Sequence, residues 1–236
     1  MSDTPQDLAA ALLDAARKAG ADAADALAVE ATAQAIDVRG GTLEQAERAE
    51  YRDLSLRVFL GQRCASISGS VICPVAMSEM ATRAVAMARE APEDPYIGLA
   101  DPGQLATDRD ATPLDLCDPS DEPAPAELED DARRAEAAAL ATQGITRIDS
   151  AAAQYNAQRI ALAGSYARTS RSLYCVAIAG EGLGMERDHD GDSRVYQSDL
   201  RSAEEIGETA AARTLERLNP RKPKTGAYPV LFDERI

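Results

Sequence analysis

Seven of the twelve prolines fall between Pro92 and Pro125, and this stretch does more than any other to limit how the chain can fold. Overlapping its end, positions 111–132 carry eight acidic residues and no Lys or Arg. Closely spaced prolines interrupt both helices and sheet ladders, and so acidic a segment buries too little apolar surface to offset its chain entropy. The stretch is therefore expected to run extended over the surface and to divide the chain. On this reading residues 1–100 form a first domain, 101–125 a linker, 126–222 a middle domain and 223–236 the start of a further one. A structured crossing loop, pinned by its few apolar residues, is the alternative.

The first segment opens on a helix. Thr4 suits the N-cap, Pro5 the first helical position and Asp7 the positive end of the helix dipole. Leu8, Leu12, Leu13 and Ala16 share a face, and Gly20 stops the helix. Strands are expected at Ala26–Glu30 and Ala35–Arg39, with Gly40-Gly41 as a turn. Leu54, Leu56, Val58 and Leu60 alternate with period two, and Gly61-Gln62 then predicts a hairpin into Arg63–Ser68. A second helix from Pro74 carries Met77, Met80, Ala81, Ala84 and Ala88, with the methionines read as core filler.

The second segment begins with an alanine-rich helix over Ala126–Gln143, ended by Gly144. Strands follow at Ile145–Asp149, Gln158–Ala163 and Tyr166–Ala179, the last apolar on both faces and so expected to be central. Ser202 with Glu205 has the spacing of a capping box for a final helix striped by Ile206, Ala210, Ala211, Leu215 and Leu218. A further strand is expected at Tyr228–Phe232. Strands grouped in runs between helices predict an α+β class, as two layered units with largely antiparallel or mixed sheets flanked by helices.

With aromatic content at 4% and no Trp, alanine and aliphatic side chains must supply most of the core. The net charge of −15 repels phosphate backbones and anionic lipid, which argues against direct contact with nucleic acid or membrane. Cys64, Cys73, Cys117 and Cys175 form no C-x-x-C pair and read as thiols, all but Cys117 within apolar runs and expected to be buried. Met1-Ser2-Asp3-Thr4 lacks the basic and apolar regions of an export signal, and no stretch approaches the ~18 apolar residues of a membrane span. A cytoplasmic location is expected.

Asp188-His189-Asp190-Gly191-Asp192 has the density of a calcium loop, but Ser193 and Asp199 stand where such a loop needs Gly and Glu. It reads as a solvated turn. His189 is the only histidine and has no second ligand or neighbouring glutamate at metal-site spacing. A Ser-His-Asp arrangement on it stays open, although no G-x-S-x-G elbow is present. Gly180-Glu181-Gly182-Leu183-Gly184 misses the dinucleotide fingerprint at Met185 and is followed by a polar, strand-like run, so it reads as a bulge or close backbone approach. The cations Arg217, Arg221, Lys222 and Lys224 suit the end of the last helix.

Several strings carry more information than these patterns. Ala49-Glu50-Tyr51-Arg52 followed by Leu56-Arg57-Val58-Phe59-Leu60-Gly61-Gln62-Arg63 resembles the first domain of the PmbA/TldD family, historically called modulators of DNA gyrase. Arg168-Thr169, Ala179-Gly180-Glu181-Gly182 and Met185-Glu186-Arg187-Asp188 are similar to its middle domain. Leu218-Asn219-Pro220-Arg221-Lys222 and Tyr228-Pro229-Val230-Leu231-Phe232-Asp233 are similar to the PmbA-like type. Asp53-Leu54-Ser55 departs from the Gly-Leu-Gly expected there.

The resemblance implies a subunit of a zinc-dependent metallopeptidase assembly that degrades or processes peptides. It implies the PmbA-like partner, without the H-E-x-x-x-H motif that the TldD-like type carries in a last domain this chain barely enters. Zinc is then expected only in the TldD-like partner, with no catalytic residue, metal or cofactor in this chain. Partners would be a TldD-like subunit or a second copy, and an extended peptide. Arg168, Thr169, Gly180, Glu181 and Gly182 are the candidate peptide or partner contacts, acting at open strand edges. The alternative is a non-enzymatic regulator of DNA gyrase or of a toxin–antitoxin pair.

Overall fold

A computed structural model describes residues 4–162 and 165–233. In chain order the elements are α1 (Pro5–Ala19), β1 (Ala23–Arg39), β2 (Thr42–Leu60), β3 (Arg63–Gly69), α2 (Pro74–Glu90), α3 (Pro125–Ala141), β4 (Ile145–Ala161), β5 (Ser165–Ala179), β6 (Glu186–Arg194) and α4 (Ala203–Glu216). The helix starts follow the local chemistry. Thr4 Oγ1 accepts the Asp7 N–H at 3.2 Å while the Asp7 carboxylate accepts the Thr4 N–H at 3.0 Å, and Ser202 Oγ accepts the Glu205 N–H at 3.2 Å.

The six strands form one antiparallel sheet in the order β3-β2-β1-β4-β5-β6. β1 and β4 join the two segments, paired from Ala28 opposite Ala161 to Val38 opposite Ala151. The fold class is α+β, as the grouping of strands between helices predicts.

All four long helices lie on one face. Ala26, Ala28, Ile36 and Val38 of β1 are separated by even numbers of residues and so point the same way. The first two pack with Leu54, Leu56 and Val58 beneath Leu8 and Leu12 of α1 and Met77, Met80 and Ala84 of α2. The second two pack with Ala151, Ala153, Leu173 and Cys175 beneath Leu128 and Ala135 of α3 and Ile206 and Ala210 of α4. Leu12, Leu54, Leu56, Leu128, Leu173 and Ile206 are the largest apolar side chains wholly withdrawn from water, each worth about 1.5–3 kcal/mol. Alanine fills much of the rest and lets α3 and α4 approach closely. A Cβ on Gly207 would lie 2.2 Å from the Ala135 carbonyl oxygen. The opposite face, with Leu27, Val29, Ala33 and Ala35, carries no helix among the described residues.

Several elements differ from the sequence reading. The two strands expected within 26–39 are one unbroken strand, as are the two expected within 145–163, up to Ala161. Ala151-Ala152-Ala153 disfavours a strand by propensity, but beneath α3 a small side chain is what the packing needs. Tyr228–Phe232 has no strand structure, because no described strand lies alongside to bond it. Asp188–Asp192 is not a solvated turn but the middle of β6, with Asp188 and Asp190 buried. Cys73 is exposed rather than buried, its sulfur accepting the Ala76 N–H at 3.4 Å as the cap of α2, and Cys64 is half-buried.

Candidate functional site

Between the two helix pairs a band of the sheet is left uncovered. Its floor runs across β2, β1, β4 and β5 through Arg52, Glu30, Thr32, Tyr155, Ala157, Arg159 and Thr169, and it encloses about 940 Å³. Leu8 and Ile72 line one side, and Cys117 and Asp118 the other. A second hollow of about 540 Å³, lined by Arg109 and Tyr166, shares Glu30, Cys117 and Arg159 with it. Glu30 is the electrostatic centre of the floor. Its carboxylate accepts from Arg52 Nε at 2.8 Å and Nη2 at 2.5 Å, and Arg159 Nη1 lies 3.9 Å away.

The far wall is the proline-rich segment, which is pinned at several points. The Thr169 N–H donates to the Leu116 carbonyl at 3.0 Å, and the Asp118 N–H donates to Thr169 Oγ1 at 2.7 Å. Thr169 Oγ1 in turn donates to the Val195 carbonyl at 3.3 Å. Asp118 accepts the Gln197 N–H at 2.9 Å and Ser120 Oγ at 2.6 Å, and Tyr196 donates its hydroxyl proton to Asp115. The hydrogen bond to Ser120, then the backbone bonds, hold the Asp118 carboxyl below the usual carboxylate range. Farther along, Gln34 Nε2 donates to the Pro123 carbonyl at 3.1 Å, and Arg48 Nη2 pairs with Glu122 at 3.1 Å. β6 pairs only with Arg171–Ala179 of β5, so this strap lies against the part of the β5 edge that β6 leaves uncovered.

The candidate contact residues are not gathered in one place. Arg168 is exposed on the helix-free face, in register with Gln158. Thr169 points the other way, is 5% exposed, and anchors the strap. Gly180, Glu181 and Gly182 form the turn from β5 to β6, roughly 40 Å along the strand from Arg168 at ~3.3 Å per residue. Gly180 has φ +81°, and a Cβ there would lie 2.4 Å from the Gly184 carbonyl oxygen, so the turn depends on its missing side chain.

A polar cluster that the sequence reading missed holds α4 to β6. Asp188 and Asp190, two residues apart on the strand, face Arg217, the C-cap of α4, and Arg213, one turn earlier on the helix. Arg217 Nε lies 2.5 Å from Asp188, and Arg201 Nη2 lies 2.8 Å from Asp190 Oδ2, close enough to attract but not aligned as a hydrogen bond. Burial raises the Asp192 carboxyl, yet the Arg201 N–H and the Arg194 guanidinium outweigh it and hold it below its usual range. The matching spacings, acids at i, i+2, i+4 and arginines at i, i+4, were a signal in the sequence. His189 points from β6 to the other face, with a side chain 61% exposed.

This fold and these strings have counterparts. The profile of the PmbA/TldA metallopeptidase domain 1 matches residues 24–88, and that of the PmbA/TldA metallopeptidase central domain matches residues 118–218. The chain is 33% identical over 222 residues to the metalloprotease PmbA of Escherichia coli O157:H7, covering 91% of this chain and 49% of that protein. The chain belongs to the PmbA/TldD family. Two solved relatives share the fold. One, from Bacteroides thetaiotaomicron VPI-5482 and assigned as a DNA gyrase modulator, has a TM-score of 0.77 at 22% identity, over 94% of this chain and 52% of that one. The other, TldE from Thermococcus kodakarensis, has a TM-score of 0.66 at 14% identity, over 86% of this chain and 46% of that one.

The chain spans about half the length of the curated PmbA relatives it matches. The zinc that the family implies finds no fitting donor set here, since among the described residues no three His, Cys, Asp or Glu side chains are gathered so as to hold a metal ion. No helix among the described residues is long and apolar enough to cross a membrane.

Proposed function

We propose that this chain is part of a PmbA-like subunit of a two-subunit peptidase assembly, in which it positions peptide or partner rather than cleaving bonds. The observation that supports this best is the 33% identity over 222 residues to a protein named metalloprotease PmbA. The frame fits such a role: a sheet with one open face, a trough across it, and a strap that fixes one edge. Zinc then belongs to a TldD-like partner, and the peptide meets this subunit along exposed backbone. Arg168 on the open face is the peptide contact, Thr169 acts through the strap, and Gly180–Gly182 meet the partner.

The test is assembly. Sedimentation of the full-length protein with a TldD-like partner is expected to give a stoichiometric complex, and two species sedimenting independently would contradict the proposal. The assignment of the Bacteroides relative favours a second reading, a non-enzymatic regulator of DNA gyrase. A stable complex with gyrase together with none with a TldD-like protein would favour it.

A further inference from the structure

β2 is longer than its outer neighbour. β3 pairs only with Leu54–Leu60, so Thr42–Asp53 is bonded to β1 on one side and, among the described residues, to no strand on the other. Of these twelve residues eleven are exposed and only Ala49 is half-buried. The run contains no proline, and its register with β1 is unbroken from Gln45 to Asp53.

The two faces of this edge differ in charge. On the helix side, which Leu54 shares, the charges are already matched: Arg48 pairs with Glu50 and Glu122, and Arg52 with Glu30. On the helix-free side stand Glu47, Ala49, Tyr51 and Asp53. Among the described residues the side chains of Glu47 and Asp53 have no hydrogen-bond or ion-pair partner. Tyr51, 41% exposed, sits between them.

We propose that the β2 edge at Gln45–Asp53 is a docking site for an extended basic segment of another polypeptide, which adds to the sheet as a further strand. The backbone of β2 supplies the hydrogen bonds, and the side chains supply the selection. Residues directly opposite one another in a sheet share a face, so Glu47 and Asp53 select cationic side chains six residues apart in the incoming strand. The two positions between them on that face lie against Ala49 and Tyr51, which select a β-branched or aliphatic pair. Charges on an edge strand also keep other chains away. Here, however, the two unmatched charges have one sign and lie on one face, which repels acidic strands and admits basic ones. The inference does not depend on the chain taking part in hydrolysis.

The probe is the peptide Lys-Thr-Val-Thr-Val-Thr-Lys, blocked at both ends, titrated into the isotope-labelled chain. The amide signals of residues 45–53 are expected to shift with saturation. The double variant Glu47→Lys, Asp53→Lys, whose side chains hold nothing in the fold, should weaken binding at least tenfold. Replacing both peptide lysines by glutamate should do the same, and N-methylation at alternate peptide residues should abolish binding. Shifts absent from 45–53, or equal affinity for wild type and the charge-reversed variant, would overturn the proposal.

Discussion

The carboxylate of Glu136, on a side chain 2% exposed, accepts the backbone N–H of Gly40 at 2.7 Å. Its other oxygen accepts the Gly41 N–H, also at 2.7 Å. Gly40 and Gly41 form the β1–β2 turn at φ +61° and +70°, so a helix from the second half of the chain closes a hairpin of the first. Removing the carboxylate would take both acceptors from the turn and empty the buried space that the Glu136 side chain fills. Glu136→Ala is expected to destabilise the chain by about 2–4 kcal/mol, and Glu136→Gln, which keeps one acceptor, by less. Urea unfolding of the three proteins measures this, and a loss below about 0.5 kcal/mol for the alanine variant would contradict it.

Gly207 gives a prediction of unusual sign. Replacing a helical glycine by alanine ordinarily stabilises a helix by about 1 kcal/mol. Here the added methyl would meet the Ala135 carbonyl oxygen at 2.2 Å and force α3 and α4 apart. Gly207→Ala is expected to lose about 1–3 kcal/mol by overpacking, and a rise in melting temperature would show that the helices do not cross so closely.

The four thiols should separate by reactivity. Burial pushes the Cys175 thiol up to about 12, and it lies wholly inside the core, whereas Cys73 and Cys117 are exposed. Under native conditions an aromatic disulfide reagent is expected to modify Cys73 and Cys117 within minutes and Cys175 only on unfolding. Mass spectrometry of timed samples reads the order, and early labelling of Cys175 would contradict the burial of β5 under α3.

Acid should loosen the strap. The folded state holds Asp118 below its usual value of 3.8, first through Ser120 and then through the Gln197 and Ser120 N–H groups. A carboxyl depressed on folding adds stability above its unfolded pKa and loses it as pH falls through the folded one. Asp118→Ala is therefore expected to melt below wild type at neutral pH, with the gap closing as pH falls below 3.8 and through the depressed folded value. A gap that does not change with pH would assign the loss to packing instead.

How far the sequence could be read depended on whether local chemistry or distant packing decided each element. Thr4-Pro5 and Ser202 mark helix starts because a cap is satisfied within four residues, and the structure places both as expected. The alternation Leu54–Leu60 likewise needs only the strand's own period. The length of β4 was not legible, since Ala151–Ala153 becomes strand only under a helix that closes over it. The acids of β6 misled for a similar reason. An aspartate is read as exposed unless its partner is known, and the arginines that meet Asp188 and Asp190 lie 29 and 23 residues on, respectively. The trough was invisible altogether, because Glu30, Arg52 and Arg159 come from three strands. The family strings carried the functional reading.

Peptide cleavage tests the central claim most directly, with the chain, the full-length protein, a TldD-like partner, and the mixture of the last two assayed side by side with and without chelator. Hydrolysis requires an activated water and a stabilised oxyanion, which a bound zinc ion supplies together. The account predicts turnover only in the mixture, lost on adding chelator, and none from the 236-residue chain alone. Chelator-insensitive cleavage by the isolated chain would contradict it, as would full activity of the partner without this protein.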